Sequence, residues 1–106
     1  MKKDGLKKYT DFLVKETEAL LNIDSPTGYT ENAAAWVRNE FEKLGFDARL
    51  TNKGGVLVSF GGEDPDHGLL LEAHVDTLGG MVAEIKGNGR LRLTNLGGMN
   101  PNNAET

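Results

Sequence analysis

Four glycine pairs, Gly54-Gly55, Gly61-Gly62, Gly79-Gly80 and Gly97-Gly98, all lie in the second half of the chain. Their placement limits the fold more than any other feature. A glycine inside a helix loses more backbone entropy than other residues, while a tight turn uses its freedom to take positive φ. No long helix is therefore expected beyond Gly54, and short strands joined by turns are. Glycine totals 14 of 106 residues, roughly twice the usual share of about 7%. The first half lacks such pairs and is free to be helical.

Between residues 6 and 21, Leu6, Tyr9, Phe12, Leu13, Leu20 and Leu21 recur with a helical period among Lys7, Lys8, Lys15, Glu16 and Glu18. This predicts an amphipathic helix. Asn22-Ile23-Asp24-Ser25-Pro26-Thr27-Gly28 interrupts it, because the residue before a proline avoids helical geometry and glycine admits a left-handed turn. By itself Ser25-Pro26-Thr27-Gly28 reads as an ordinary helix-breaking turn, with a functional loop as the alternative. A second helix follows, with Thr30 as N-cap, Glu31 in the first turn, a stripe of Ala34, Val37, Phe41 and Leu44, and Gly45 as the C-terminal cap. Trp36 and Phe41 are expected in the core, and the lysines of the first ten residues on a solvated face.

Residues 46–51 alternate as a half-buried strand does, and Asn52-Lys53-Gly54-Gly55 turns the chain into a second strand at 56–60. Residues 61–68 form a polar loop in which His67, beside Asp64 and Asp66, reads as a surface residue. Residues 69–75 are apolar without alternation, the pattern of a central strand covered on both faces. Residues 81–86 and 90–95, joined by Gly87-Asn88-Gly89, predict a further hairpin. Helices followed by strands make an α/β chain with a mixed sheet, and 106 residues bound it at one domain's length with a modest core.

Apolar residues make up 38% and charged residues 26%, a balance that supports folding. A formal charge of −4 gives no positive field for a phosphate backbone, so nucleic acid is not an expected partner. No run reaches the 18 or so apolar residues of a membrane span, and no secretory pattern follows the N-terminal lysines. A cytoplasmic location is the simplest expectation. With no cysteine in the chain, any metal must be held by His, Asp or Glu.

In Leu69-Leu70-Leu71-Glu72-Ala73-His74-Val75-Asp76-Thr77-Leu78-Gly79-Gly80 the apolar run ends in chemistry. Alternate strand residues share a face, so Glu72, His74 and Asp76 are expected on one side. A metal-ligating histidine commonly passes its other ring N–H to a carboxylate, and His74-x-Asp76 offers both parts at a strand end. A structural histidine pair has the same spacing, so both readings stand on the residues alone.

The chain resembles the start of a metallo-aminopeptidase of the M42 family, the group that includes glutamyl and deblocking aminopeptidases. The likeness is carried by Ser25-Pro26-Thr27-Gly28-Tyr29, Leu44-Gly45-Phe46, Asn52-Lys53-Gly54-Gly55-Val56, and above all Ala73-His74-Val75-Asp76 with Leu78-Gly79-Gly80-Met81-Val82. The continuation through Ile85, the hairpin and Leu96-Gly97-Gly98 fits as well. The resemblance implies that His74 is a ligand to one of two bridged divalent ions, zinc or cobalt, and that Asp76 is the catalytic carboxylate that orients it. It implies peptide substrates and a homo-oligomer, with residues 1–78 belonging to a zinc-peptidase-like catalytic domain and 79–106 beginning an inserted β domain used in assembly. It assigns no substrate-binding residue. The remaining metal ligands of the family lie downstream in relatives, so an N-terminal fragment, inactive alone and without tightly bound metal, is the expectation. The sequence departs at Glu72, where relatives tend to have a small or apolar residue, and at Thr30, where Glu often follows the tyrosine. The alternatives are a fragment of the related M20 peptidases and deacylases, or a non-catalytic binding module on the same scaffold.

Overall fold

A computed structural model describes residues 3–64 and 66–105. Helix α1 (Lys3–Leu21) leads through a loop to α2 (Glu31–Lys43), followed by β1 (Ala48–Leu50), β2 (Val56–Val58), β3 (Gly79–Ile85), β4 (Leu91–Leu96) and a short 3₁₀ turn, Pro101–Ala104. The two helices and the hairpins stand where residue patterning places them. Lys7 and Lys8 are exposed as expected, whereas Lys2 and Pro65 lie outside the described residues. Among the described residues no helix is long and apolar enough to cross a membrane.

The end of α2 is built by a Schellman motif, in which Phe46 N–H donates to Phe41 O at 3.1 Å and Gly45 N–H to Glu42 O at 2.9 Å. Gly45 makes this possible with φ of +88°, a conformation costly for a side chain with a Cβ. The motif's hydrophobic contact is also present, since the Phe41 and Phe46 rings meet edge-on with centroids 6.5 Å apart. Phe60 joins them at 5.8 Å from Phe41 and 5.1 Å from Phe46, tying the helix end to the chain leaving β2. At the other end, Thr30 occupies the N-cap position but its side chain makes no capping hydrogen bond. Its backbone, at φ −111° and ψ 0°, departs from the extended geometry typical of a capping residue.

Both hairpins use one turn design. In the first, Gly54 N–H donates to Thr51 O at 2.9 Å and Thr51 N–H to Gly55 O at 2.7 Å. In the second, Gly89 N–H donates to Lys86 O at 2.9 Å and Lys86 N–H to Arg90 O at 2.8 Å. Each is a three-residue loop whose last residue, Gly54 or Gly89, takes positive φ and forms the bulge that restores strand pairing. β1 and β2 pair antiparallel over Ala48↔Val58 to Leu50↔Val56, shorter than the two strands predicted. β3 and β4 pair from Gly79↔Leu96 to Ile85↔Leu91, with a bulge between Val82 and Glu84. On the exposed face of that hairpin Arg92 Nε donates to Glu84 at 2.9 Å.

The core is small. Ala33, Ala34 and Ala48 are the buried apolar residues among those described, and their size lets α2 approach β1 closely. Trp36 and Phe41, expected in the core, are half-buried. The stripe of α1 is largely uncovered, with Tyr9 65% and Leu13 62% exposed. A radius of gyration of 18.6 Å exceeds the roughly 13 Å of a compact chain near 100 residues.

Two expectations are corrected. The predicted central strand at 69–75 has no strand pairing among the described residues, and Leu69, Leu70 and Leu71 are 87%, 73% and 75% exposed. Apolarity without alternation reports a segment suited to burial on both faces, but pairing needs a neighbouring chain in register, and none of the described residues provides it. The sheet is likewise not one mixed sheet but two separate two-stranded antiparallel ones. Parallel pairing survives in a single bridge between Pro26 and Thr77.

Substituting Gly45→Ala should destabilise the folded chain by about 1 kcal/mol or more, the order of the left-handed penalty for a residue with a Cβ. Urea titration followed by circular dichroism measures this, and an unchanged midpoint would contradict the Schellman assignment.

Candidate metal and catalytic site

His74 and Asp76 stand at the end of the exposed segment, just before the chain enters β3. His74 Nδ1 lies 3.0 Å from the backbone carbonyl oxygen of Asp76 and 3.0 Å from its Oδ1. A carbonyl oxygen can only accept, so Nδ1 carries the ring proton and Nε2 of the neutral ring keeps its lone pair. The ring is 84% exposed, which leaves that lone pair open to a ligand. This is the arrangement expected of a metal-binding imidazole backed by a carboxylate.

Asp76 is held from its other side as well. Thr27 Oγ1 donates to Asp76 Oδ2 at 3.1 Å, although the two residues are 49 positions apart. The backbone around this contact is paired: Thr27 N–H donates to Thr77 O at 3.2 Å, and Thr77 N–H to Ser25 O at 2.7 Å. Ser25 is buried, 3% exposed, at the base of the loop. The turn Ser25-Pro26-Thr27-Gly28 is therefore docked on the residue that follows Asp76. In the sequence this segment reads first as a helix breaker, with a functional loop as the alternative, since nothing in local patterning reveals a partner so distant.

The glycines beyond Asp76 have a packing reason. A Cβ on Gly79 would lie 2.8 Å from Cβ of Pro26, inside van der Waals contact. A Cβ on Gly97, whose φ is +66°, would lie 3.1 Å from Leu78 Cδ2 and 3.5 Å from Thr27 Oγ1. Gly79 and Gly97 thus allow the base of the β3–β4 hairpin to sit against the loop that holds Asp76.

A cleft of about 750 Å³ runs past the site, lined by Val37 and Phe41 of α2, Val56–Val58 of β2 and the segment from Leu69 to Asp76. Glu72 and His74 line it together with Ala73 and Val75. His67 lies elsewhere, 83% exposed, with Nδ1 2.8 Å from Asp64 Oδ2, in keeping with a surface role. The Asp64 carboxyl is lowered from its ordinary value, first by the Asp66 N–H and then by His67.

The donor set among the described residues falls short of a complete metal site. A protein-bound zinc ion usually takes three or four protein donors, and among the described residues no group of three His, Asp or Glu side chains converges. What the described residues supply here is one imidazole with a carboxylate at its Nδ1.

Gly79→Ala should force Pro26 away from the strand end, a backbone shift costing about 1–3 kcal/mol. Faster hydrogen exchange at the Thr27 and Thr77 amides, with Gly45 and Phe46 unchanged, is the expected signature. Retained protection would show that the loop tolerates the side chain.

Residues 54–106 match the M42 glutamyl aminopeptidase family. The protein YhfE of Bacillus subtilis (strain 168) is 38% identical over 93 residues, covering 88% of this chain and 26% of that protein. Glutamyl aminopeptidase of Lactococcus lactis subsp. cremoris (strain MG1363) is 28% identical over 90 residues, covering 84% of this chain and 25% of its own length. The chain thus spans about a quarter of the length of these relatives. On the match through its second half and the likeness to YhfE across most of its length, the chain belongs to the M42 glutamyl aminopeptidase family.

Proposed function

We propose that the chain supplies one corner of a binuclear, metal-dependent aminopeptidase site, with His74 as a ligand through Nε2 and Asp76 as the catalytic carboxylate that orients it. The observation that carries this reading is the hydrogen bonding of His74 Nδ1 to Asp76, which turns the Nε2 edge of an exposed ring away from Asp76. Peptides with a free N-terminus are the substrate class, in line with family membership. Zinc or cobalt are the candidate ions, and when bound they supply Lewis acidity for a peptide carbonyl and for water.

The chain's own residues prepare that chemistry. Asp76 accepts from Nδ1 through its carboxylate and its backbone carbonyl, which fixes the orientation of the ring. The turn after Asp76 carries the backbone into β3 and leaves the imidazole uncovered.

Residues 1–78 are read as part of the catalytic domain and 79–106 as the beginning of an inserted β domain. In support, β3 and β4 pair only with each other among the described strands. Their apolar side chains remain exposed, Met81, Val82, Ile85, Leu91 and Leu93 included, and homo-oligomer formation through this hairpin would cover them.

One imidazole is too few donors for catalysis, so the pure 106-residue chain should release no N-terminal residues from peptides in the presence of zinc or cobalt. It should bind cobalt weakly, and His74→Ala should abolish that binding. Unchanged cobalt binding in His74→Ala would remove His74 from the ligand set, and robust peptide hydrolysis by the chain would overturn the single-corner reading. Sedimentation velocity should show concentration-dependent association, weakened in Val82→Asp because Val82 pairs directly with Leu93. A monomer at high concentration would sink the oligomer assignment.

A further inference from the structure

We propose that Thr27 is a positioning residue for Asp76, holding the side-chain rotamer that keeps its carboxylate on His74. The inference rests on the reading of His74 and Asp76 as ligand and orienting carboxylate, and goes beyond it by giving the Ser25–Thr27 loop a role.

The two oxygens of Asp76 are separately engaged: Oδ1 faces His74 Nδ1 at 3.0 Å and Oδ2 accepts from Thr27 Oγ1 at 3.1 Å. The χ1 torsion of an aspartate has three staggered wells, so one contact leaves the carboxylate free to swing out of line with its partner. A second donor on the other oxygen removes that freedom. The Thr27 hydroxyl also lies 3.5 Å from Thr77 O. That distance is long for a hydrogen bond between oxygens, and the shorter, charge-assisted contact to the carboxylate prevails.

Thr27 is itself well placed for the task. Its side chain is β-branched and stiff at χ1. Its backbone is anchored by the paired bonds among Ser25, Thr27 and Thr77, and Pro26 presses against Gly79 where no Cβ intervenes. Since Thr77 immediately follows Asp76, the same bridge locates the donor and the acceptor. A helix-breaking turn needs none of this geometry.

The test is solution NMR on the full chain, comparing wild type with Thr27→Val, which keeps the shape and loses the hydroxyl, and Thr27→Ser, which keeps the hydroxyl and loses the methyl. Three-bond couplings to Asp76 Cγ report its χ1 populations, and imidazole nitrogen shifts report the His74 tautomer. We expect one dominant Asp76 rotamer in wild type and in Thr27→Ser. In Thr27→Val the minor rotamers should rise about fivefold, the ratio set by one ordinary net hydrogen bond. An unchanged rotamer distribution in Thr27→Val, with His74 protonated on Nδ1, would overturn the role of Thr27 alone. A wild-type His74 protonated on Nε2 would instead overturn the reading of the His74–Asp76 pair on which it rests. Should Thr27→Val displace the loop, seen as a moved Thr77 amide, Thr27→Ala against Thr27→Ser isolates the hydroxyl, and equal Asp76 rotamers in those two would refute the proposal.

Discussion

The parallel bridge between Ser25–Thr27 and Thr77 is the contact on which the arrangement of this chain depends. Two backbone hydrogen bonds join a loop between helices to the residue that follows Asp76, and they bring together segments separated by some fifty positions. Without this bridge the exposed run 69–76 would have no backbone tether to the helical part among the described residues. With it, Asp76 is placed between a threonine hydroxyl and a histidine ring, and the β3–β4 hairpin is held at its base.

Small residues make that docking possible. Gly79 approaches Pro26 where a methyl group would collide, and Gly97 approaches Leu78 and Thr27. The same economy appears between α2 and β1, where Ala33, Ala34 and Ala48 are the residues in contact with no solvent to spare. Larger apolar side chains lie mainly outside these contacts, on α1, on 69–71 and on the hairpin. The chain is therefore organised by close backbone approach at a few points, with most of its apolar surface presented outward, and this matches its extended dimensions.

That outward surface bears on how the family's chemistry is divided. The chain belongs to the M42 glutamyl aminopeptidase family, and no third donor converges on the His74–Asp76 pair among the described residues. One imidazole with a backing carboxylate is fewer donors than a protein-bound zinc ion usually takes. The apolar segments around it have the character of surfaces that fold against further protein.

Local patterning determined a good deal by itself. The period of apolar residues located both helices, Gly45 marked the end of α2, and Gly54 and Gly89 marked turns whose left-handed residue only glycine adopts without strain. The His74–Asp76 pair was also legible, because residues two apart can meet through their own local geometry. What tertiary structure alone decided was long-range: that 69–75 finds no strand partner among the described residues, that the strands form two sheets, and that Thr27 reaches Asp76. Sequence periodicity records which residues suit burial or a turn. It contains no record of which distant segment supplies the opposing hydrogen bond, and here that is the difference between a helix breaker and a support for the site.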